Sequence, residues 1–331
     1  MRPPSSRFLL RHAKTSAFLV TDLVNIRYLT GREVSAGAVL VTPRFARLFV
    51  DQRYREGAGV RAAGYTVCPL DDLAQALSSV AVCGCEAESV TLAQKDRWRK
   101  SFRSTRLLPK HGVIGHFRRT KDPEELRRFR RAQRITRELL ARVPSVLRGG
   151  VTEREIAEKL RVWASGLHAD HLAFDPIVAF GPHTSRPHHH PTTRALKPGD
   201  LVQIDVGARF KGYCADQSAV FFTGRKTPQQ EHALTAVREA KEAAERAVRS
   251  GVSTHALDRL ARSVLQKYDM EEYFVHSLGH GVGLEIHEGV TLSQKRPAEK
   301  LLASEIVTIE PGVYFPGKFG MRLEDEIIVR D

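Results

Sequence analysis

Residues 201–222, LVQIDVGARFKGYCADQSAVFF, hold the pattern that decides the fold. Two apolar runs flank a turn near Arg209–Gly212, the signature of a β-hairpin. With the turn centred on Phe210-Lys211, Asp205 faces Asp216 directly, at the roughly 5 Å Cβ separation of opposed residues. Two like charges so placed repel. Ile204, Val206 and Val220 give them an apolar setting in which an uncompensated carboxylate is costly. The arrangement requires a shared proton, a basic neighbour or a bound cation.

The same pattern returns in residues 305–329, EIVTIEPGVYFPGKFGMRLEDEIIV. A turn centred on Gly317 places Glu310 across from Glu324, and Arg322, two residues from Glu324, shares its sheet face. A register slip of one would undo the pairing. Between the hairpins lies HSLGHGVGLEIHE (276–288). Its glycines permit close backbone approach, and His280 and His287 stand seven residues apart. That odd spacing puts them on opposite faces of a regular strand, so a bulge or loop is needed to bring both to one site. Four carboxylates and one imidazole form an oxygen-rich donor set suited to a pair of divalent ions such as manganese, cobalt, iron or zinc. Two such ions about 3.5–4 Å apart can share a hydroxide and polarise a carbonyl.

Upstream, Asp122-Pro123-Glu124-Glu125 opens a helix with an N-cap, Pro at the first position and favourable acidic charge. Leu126, Phe129, Ala132, Thr136, Leu139 and Val143 form one stripe of it. Thr152-x-x-Glu155 and Thr227-x-x-Gln230 are capping boxes for two more helices, and a fourth runs from about Thr254 to Tyr268. Gly150-Val151-Thr152 and Gly251-Val252-Ser253, 101 residues apart, each follow a long helix and open another. This hints at a duplicated α-α-β-β unit. Residues 15–110 read as a smaller α/β unit, with FLVTD, NIRYLTG, AGAVLVT, ARLFVD and YTVCPL as strands and Leu70–Ser79 and Val90–Trp98 as helices. LLPKHGVIGHFRRTKDP then connects to the second unit.

With 331 residues, 42% hydrophobic and 27% charged, the chain has the size and balance of a two-domain globular protein. The expected division is 1–118 and 119–331. The apolar stretch Phe8–Leu10 is too short for a signal peptide, and no run reaches the ~20 residues of a membrane span. Cys68, Cys83, Cys85 and Cys214 lack the spacing of a zinc site and fit buried thiols. A cytoplasmic location is expected. The net charge is +14, and residues 95–148 alone hold 18 Lys/Arg against 5 Asp/Glu. That block has little aromatic interleaving, so a solvated surface is expected rather than nucleic-acid binding.

Asp205 and Asp216 eleven apart, GHGVGLEIHE, IEPGVYF and RLEDEIIV together resemble the pita-bread metallopeptidases: Xaa-Pro aminopeptidase, Xaa-Pro dipeptidase and methionine aminopeptidase. The likeness covers about residues 120–330. VNIRYLTGREVSAGAVLVT and LFVDQRYREGA resemble the creatinase-type N-terminal domain of the proline-specific members. The resemblance implies a small α/β domain followed by a pita-bread α+β catalytic domain with internal pseudo-two-fold symmetry. It also implies two divalent ions, manganese first, held by Asp205, Asp216, His280, Glu310 and Glu324. Asp216 and Glu324 would bridge the ions, and Glu310 would handle the proton of the attacking water. His188, His287 and Arg322 would face the substrate or its tetrahedral intermediate. His188, His189 and His190 are consecutive, so an offset of one stays open. His183 stands where relatives often carry Asn, and the chain stops at Asp331, where relatives usually continue.

The implied substrate is a peptide or dipeptide with proline second, and relatives are commonly homodimers. Creatinase uses this fold without metal, against which the full ligand set speaks. Methionine aminopeptidases usually lack the N-terminal domain. A non-catalytic binding module for protein or nucleic acid, using the basic 95–148 segment, is the alternative from another class.

Overall fold

The computed structural model describes residues 4–55 and 64–331. The chain divides into two compact units between Arg118 and Arg119. Residues 56–58 of the LFVDQRYREGA segment, and 1–3 at the start, lie outside the described residues.

The first unit contains α1 (Ser6–Ala13), β1 (Phe18–Val20), α2 (Leu23–Thr30), β2 (Gly37–Val41), β3 (Ala46–Val50), β4 (Thr66–Pro69), α3 (Leu73–Ser78), β5 (Val82–Glu86), α4 (Leu92–Ser101), β6 (Arg106–Lys110) and α5 (Val113–Arg119). Its six strands form one sheet in the order β4-β3-β2-β1-β5-β6. β1 is antiparallel to β2 and parallel to β5, and its three residues are wholly buried, as an unbroken apolar run requires. Leu19, Leu40, Phe49, Leu77 and Cys83 make its core. NIRYLTG, expected as a strand, is helical. Asp22 accepts the Asn25 N–H as N-cap, Gly31 closes the helix at φ 70°, and Ile26 and Leu29 supply a buried face. Those end signals outweigh the β-branched composition. LLPK, expected within a connection, is part of β6.

The second unit continues with α6 (Pro123–Arg142), α7 (Glu153–Gly166), β7 (His171–Leu172), β8 (Ile177–Phe180), β9 (Leu201–Val206), β10 (Ala208–Phe210), β11 (Tyr213–Cys214) and β12 (Gln217–Phe222). It ends with α8 (Pro228–Ala247), α9 (Thr254–Gln266), β13 (Gly279–His280), β14 (Thr291–Leu292), β15 (Ile306–Ile309), β16 (Gly312–Phe315), β17 (Phe319–Arg322) and β18 (Asp325–Ile328). The helices α6, α7 and α8 open on complete capping boxes at Asp122, Thr152 and Thr227. The α6 stripe buries Phe129, Ala132, Ile135, Thr136 and Leu139. α6 and α7 pack with β8 and β9 through Ile135, Leu139, Ile156, Leu160, Val178 and Ile204. α8 and α9 pack with β15 to β17 through Val237, Leu257, Val307, Ile309 and Met321. Each fully buried side chain of this size contributes about 1.5–3 kcal/mol relative to exposure.

The two halves repeat a local structure as well as an order of elements. Gly150 (φ 87°) donates its N–H to Leu196 O, and Gly251 (φ 83°) donates to Leu301 O. Leu196 and Leu301 return N–H bonds to Val151 and Val252. Glu153 N–H bonds Arg194 O where Thr254 N–H bonds Glu299 O. The duplication suggested by the Gly-Val-Thr and Gly-Val-Ser segments is therefore built into the backbone.

Candidate metal centre

The hairpin carrying the first two carboxylates has a register different from the expected one. Asp205 pairs with Ser218, not Asp216. Lys211 (φ 48°) and Gly212 (φ 88°) both take left-handed conformations, so the tight turn centres between them rather than on Phe210-Lys211. The shift of two residues is one full pleat period and keeps Asp216 on the face of Asp205, now as a diagonal neighbour. Asp216 falls between β11 and β12, where its backbone N–H leaves the ladder and donates to the Glu326 carboxylate.

In the second hairpin, Ile309 pairs with Asp325 and Gly312 with Arg322. Glu310 and Glu324 thus stand across from each other in the gap between the two ladders. Their amides turn elsewhere: Glu310 N–H donates to Leu278 O and Glu324 N–H to Ser218 O. These bonds join the second hairpin to β13 and to the first hairpin, and so gather the carboxylates.

His280 lies on β13. Its N–H donates to Thr308 Oγ1 at 3.0 Å, and its Nδ1 sits 3.1 Å from the Gly281 carbonyl. A ring N–H bound to a carbonyl leaves Nε2 as the free lone pair. Nε2 lies 3.5 Å from Asp216 Oδ2 and 3.5 Å from Glu310 Oε1. Burial first, then the charge of His287, lowers the His280 pKa to about 3, so the imidazole is neutral and able to bind a metal. The loop between β13 and β14 brings His287 back onto His280, with ring centroids 4.1 Å apart. Gly281 N–H to Val290 O and Glu288 N–H to Gly281 O supply the reversal that the odd spacing demanded.

Asp205, Asp216, Glu324 and Arg322 are buried. Burial, with Glu324 and Asp205 close by, pushes Asp216 well above the usual carboxylate range; burial, with Glu310 and Asp205, does the same to Glu324. Burial raises Glu310 to about 8. Four carboxylates facing the one guanidinium of Arg322 cannot all ionise without further positive charge. One ligand atom each from Asp216, His280 and Glu324 lies within 4.8 Å of the others. Asp205 Oδ1 and Asp216 Oδ1 are buried with no hydrogen-bond partner among the described residues. Buried acceptors left unpartnered and a crowd of like charges beside a neutral imidazole fit divalent cations.

The remaining expected residues line the same cavity, of about 670 Å³. Arg322 bonds Asp205, donates to Ser218 Oγ at 3.0 Å and to Tyr314 OH at 2.7 Å, and reaches Pro187 O at 3.4 Å. His188 is exposed within the cavity, close enough to His276 and His287 to perturb both. His189 is buried and bonds Glu153. His183 bonds the same carboxylate.

Five residues of the surroundings were not singled out from sequence. Ser218 donates to Glu324 Oε2 at 2.9 Å, and Thr308 bonds both His280 and Glu310. His276 Nε2 lies 3.0 Å from Tyr314 OH and its Nδ1 3.9 Å from Glu310 Oε2. Glu326 supports Asp216, and its alternation with Glu324 along one strand was a readable signal.

The model of the creatinase/prolidase N-terminal domain matches residues 6–120, and that of metallopeptidase family M24 matches 127–331. The uncharacterized peptidase YqhT of Bacillus subtilis is 29% identical, over 100% of this chain and 96% of the relative. An Xaa-Pro dipeptidase from Bacillus anthracis superposes with a TM-score of 0.94 at 29% identity, covering 98% of this chain and 93% of its own. An X-Pro aminopeptidase from Thermotoga maritima gives 0.90 at 29% identity, over 98% and 95%. Family match, two-unit architecture and carboxylate-histidine cluster agree, and the chain belongs to metallopeptidase family M24.

Proposed function

We propose that this chain hydrolyses the peptide bond between an N-terminal residue and a following proline, in dipeptides or short peptides. The observation that carries the reading is the convergence of Asp216, His280 and Glu324 ligand atoms within 4.8 Å, beside unpartnered oxygens of Asp205 and Asp216. The likeness to an Xaa-Pro dipeptidase and an X-Pro aminopeptidase over nearly the whole chain supports the substrate class.

Asp205, Asp216, His280, Glu310 and Glu324 would hold two divalent ions, manganese first. Such ions, when bound, polarise a carbonyl and acidify water. Glu310 takes the proton from the attacking water and returns it to the leaving nitrogen, a role suited to a carboxylate that would be kept ionised by the ions it holds. Arg322 holds Asp205 in place and presents its remaining field to the cavity. His188 and His287 face the substrate from the cavity wall. Partial desolvation and the neighbouring His188 lower the His287 pKa, and the neutral imidazole can donate one hydrogen bond to a developing oxyanion. Proline has no amide N–H and a fixed φ, so a wall that needs no backbone acceptor can select it by shape. Phe174, Ile177 and Val290 give that wall apolar surface.

The domain division at 118/119, a cytoplasmic location and a homodimer are part of the same proposal. Among the described residues no helix is long and apolar enough to cross a membrane.

The test is hydrolysis of Ala-Pro, Ala-Pro-Ala and Met-Ala-Ser with manganese, cobalt or zinc, and with a chelator control. Metal-dependent cleavage before proline is expected. Cleavage of Met-Ala-Ser alone would reassign the enzyme to methionine removal. A chain that binds no metal and cleaves nothing would be a binding module instead.

A further inference from the structure

Glu153 is fully buried at the first turn of α7, outside the carboxylate cluster. Its two oxygens accept from five donors. Oε1 takes Phe180 N–H at 2.9 Å and His183 Nδ1 at 2.8 Å. Oε2 takes His189 Nε2 at 2.9 Å, Thr192 N–H at 2.9 Å and Thr192 Oγ1 at 2.6 Å. All five belong to residues 180–192, the segment that contains His188. A carboxylate has about four lone-pair sites, so Glu153 is saturated. Ligand atoms of Glu153, His183 and His189 do lie within 4.8 Å of one another, but with its lone pairs occupied this carboxylate has nothing left to offer a cation.

The chain provides its own control. The second half builds the same turn with Thr254 in the place of Glu153, equally buried and with the equivalent backbone bond. The turn therefore needs no carboxylate, and a buried carboxylate is costly unless its partners repay it. What the first half has in addition is the histidine loop. Glu153 fastens both limbs of that loop from below, while Thr184 Oγ1 accepts Gly320 N–H and Pro187 O accepts from Arg322 Nη1 on the other side.

We propose that Glu153 is a positioning residue: all three consecutive histidines border the cavity, and by binding His189 and His183 it holds the loop so that His188 is the one presented to the reacting peptide. The proposal rests on the reading of His188 as the substrate-facing histidine. Glu153 touches no substrate and acts through the loop.

The experiment is a double-mutant cycle of Glu153→Gln and His188→Ala, in the full-length, metal-loaded protein, reading kcat/KM on Ala-Pro together with metal content and Tm. Gln keeps the volume, but its amide nitrogen opposes N–H and O–H donors. Glu153→Gln is expected to lower kcat/KM by about 100-fold, the cost of misplacing a catalytic group by an ångström. In the His188→Ala background the further loss should be no more than about twofold. Metal content should stay at the wild-type level in all four proteins. Equal losses in both backgrounds, with His188→Ala itself impaired, overturn the positioning role alone. A His188→Ala protein with wild-type kcat/KM overturns the His188 reading and this inference with it. If Glu153→Gln does not fold, Thr192→Val removes one donor to the same oxygen and enters the same cycle, with the same two outcomes deciding.

Discussion

The Nε2 atom of His280 lies 3.5 Å from Oδ2 of Asp216, and burial keeps that imidazole neutral. A neutral imidazole against a carboxylate from another strand is a ligand arrangement rather than an ion pair. Asp216→Asn removes one charge and one ligand oxygen while preserving shape. Activity should fall by more than about 100-fold, beyond what loss of a supporting contact around a metal typically costs. Metal content by mass spectrometry should fall with it and the circular dichroism spectrum should not change. Near-normal turnover in this variant would remove the metal reading.

Metal removal should leave a pH signature. In the metal-free chain burial raises Glu310 from the usual carboxylate value to about 8. Between about 4.5 and 8 this carboxyl then binds more proton in the folded chain than in the unfolded one, so its contribution to stability falls as pH rises through that window. Asp216 and Glu324 shift in the same direction and add to the fall. Buried His276 and His280, with pKa values lowered to about 3, oppose this fall up to about 6.5, so urea midpoints of chelator-treated protein should decline from about pH 6.5 to pH 8, and added manganese should abolish the decline. A metal-free midpoint that rises over this range would contradict the crowding of charge in the site.

Arg322 is buried and shared among Asp205, Ser218, Tyr314 and the Pro187 carbonyl. Arg322→Met should cost about 3–5 kcal/mol of stability, the cost of leaving a buried partner charge alone. Arg322→Lys should recover little, because one ammonium cannot reproduce the planar fork. Urea unfolding measures both. A lysine variant within about 1 kcal/mol of wild type would show that charge, and not the fork, is what the site needs.

Much of this site was legible because carboxylates two residues apart along a strand share a face whatever the register. That parity survived the misplaced turn: Asp205 met Ser218 instead of Asp216, yet both aspartates stayed on one side. The error itself lay in Lys211, which takes a left-handed φ that nothing in Phe-Lys-Gly announces. NIRYLTG misled because its β-branched and aromatic residues bury one helical face as readily as a strand face, and only Asp22 and Gly31 distinguish them. Ser218, Thr308 and Tyr314 were invisible for a different reason. Common residues become supports only when register brings them beside a carboxylate, and the sequence carries no mark of that. Glu153 stood in the text as the residue after an N-cap, an ordinary place for an acid, and its histidine partners lie 30 and 36 residues away.

The loop that returns His287 to His280 is anchored by a buried ion pair. Lys121 Nζ lies 2.9 Å from Glu288 Oε1, with side chains only 2% and 5% exposed. Glu288 Oε2 also accepts the Glu285 N–H at 3.2 Å, and its carboxylate fills the space that a side chain at Gly283 would occupy. Lys121→Met should therefore destabilise by about 3–5 kcal/mol, since it leaves the buried Glu288 carboxylate without its ammonium. Adding Glu288→Gln should restore part of that loss, because the second change removes the charge that Lys121 had balanced. If His287 takes its place from this anchor, the double variant should regain stability while kcat/KM stays low, because the loop is again free of strain but no longer fixed. Chemical unfolding and Ala-Pro kinetics on the same four proteins separate the two effects. Recovery of both together would mean that the ion pair serves the fold alone.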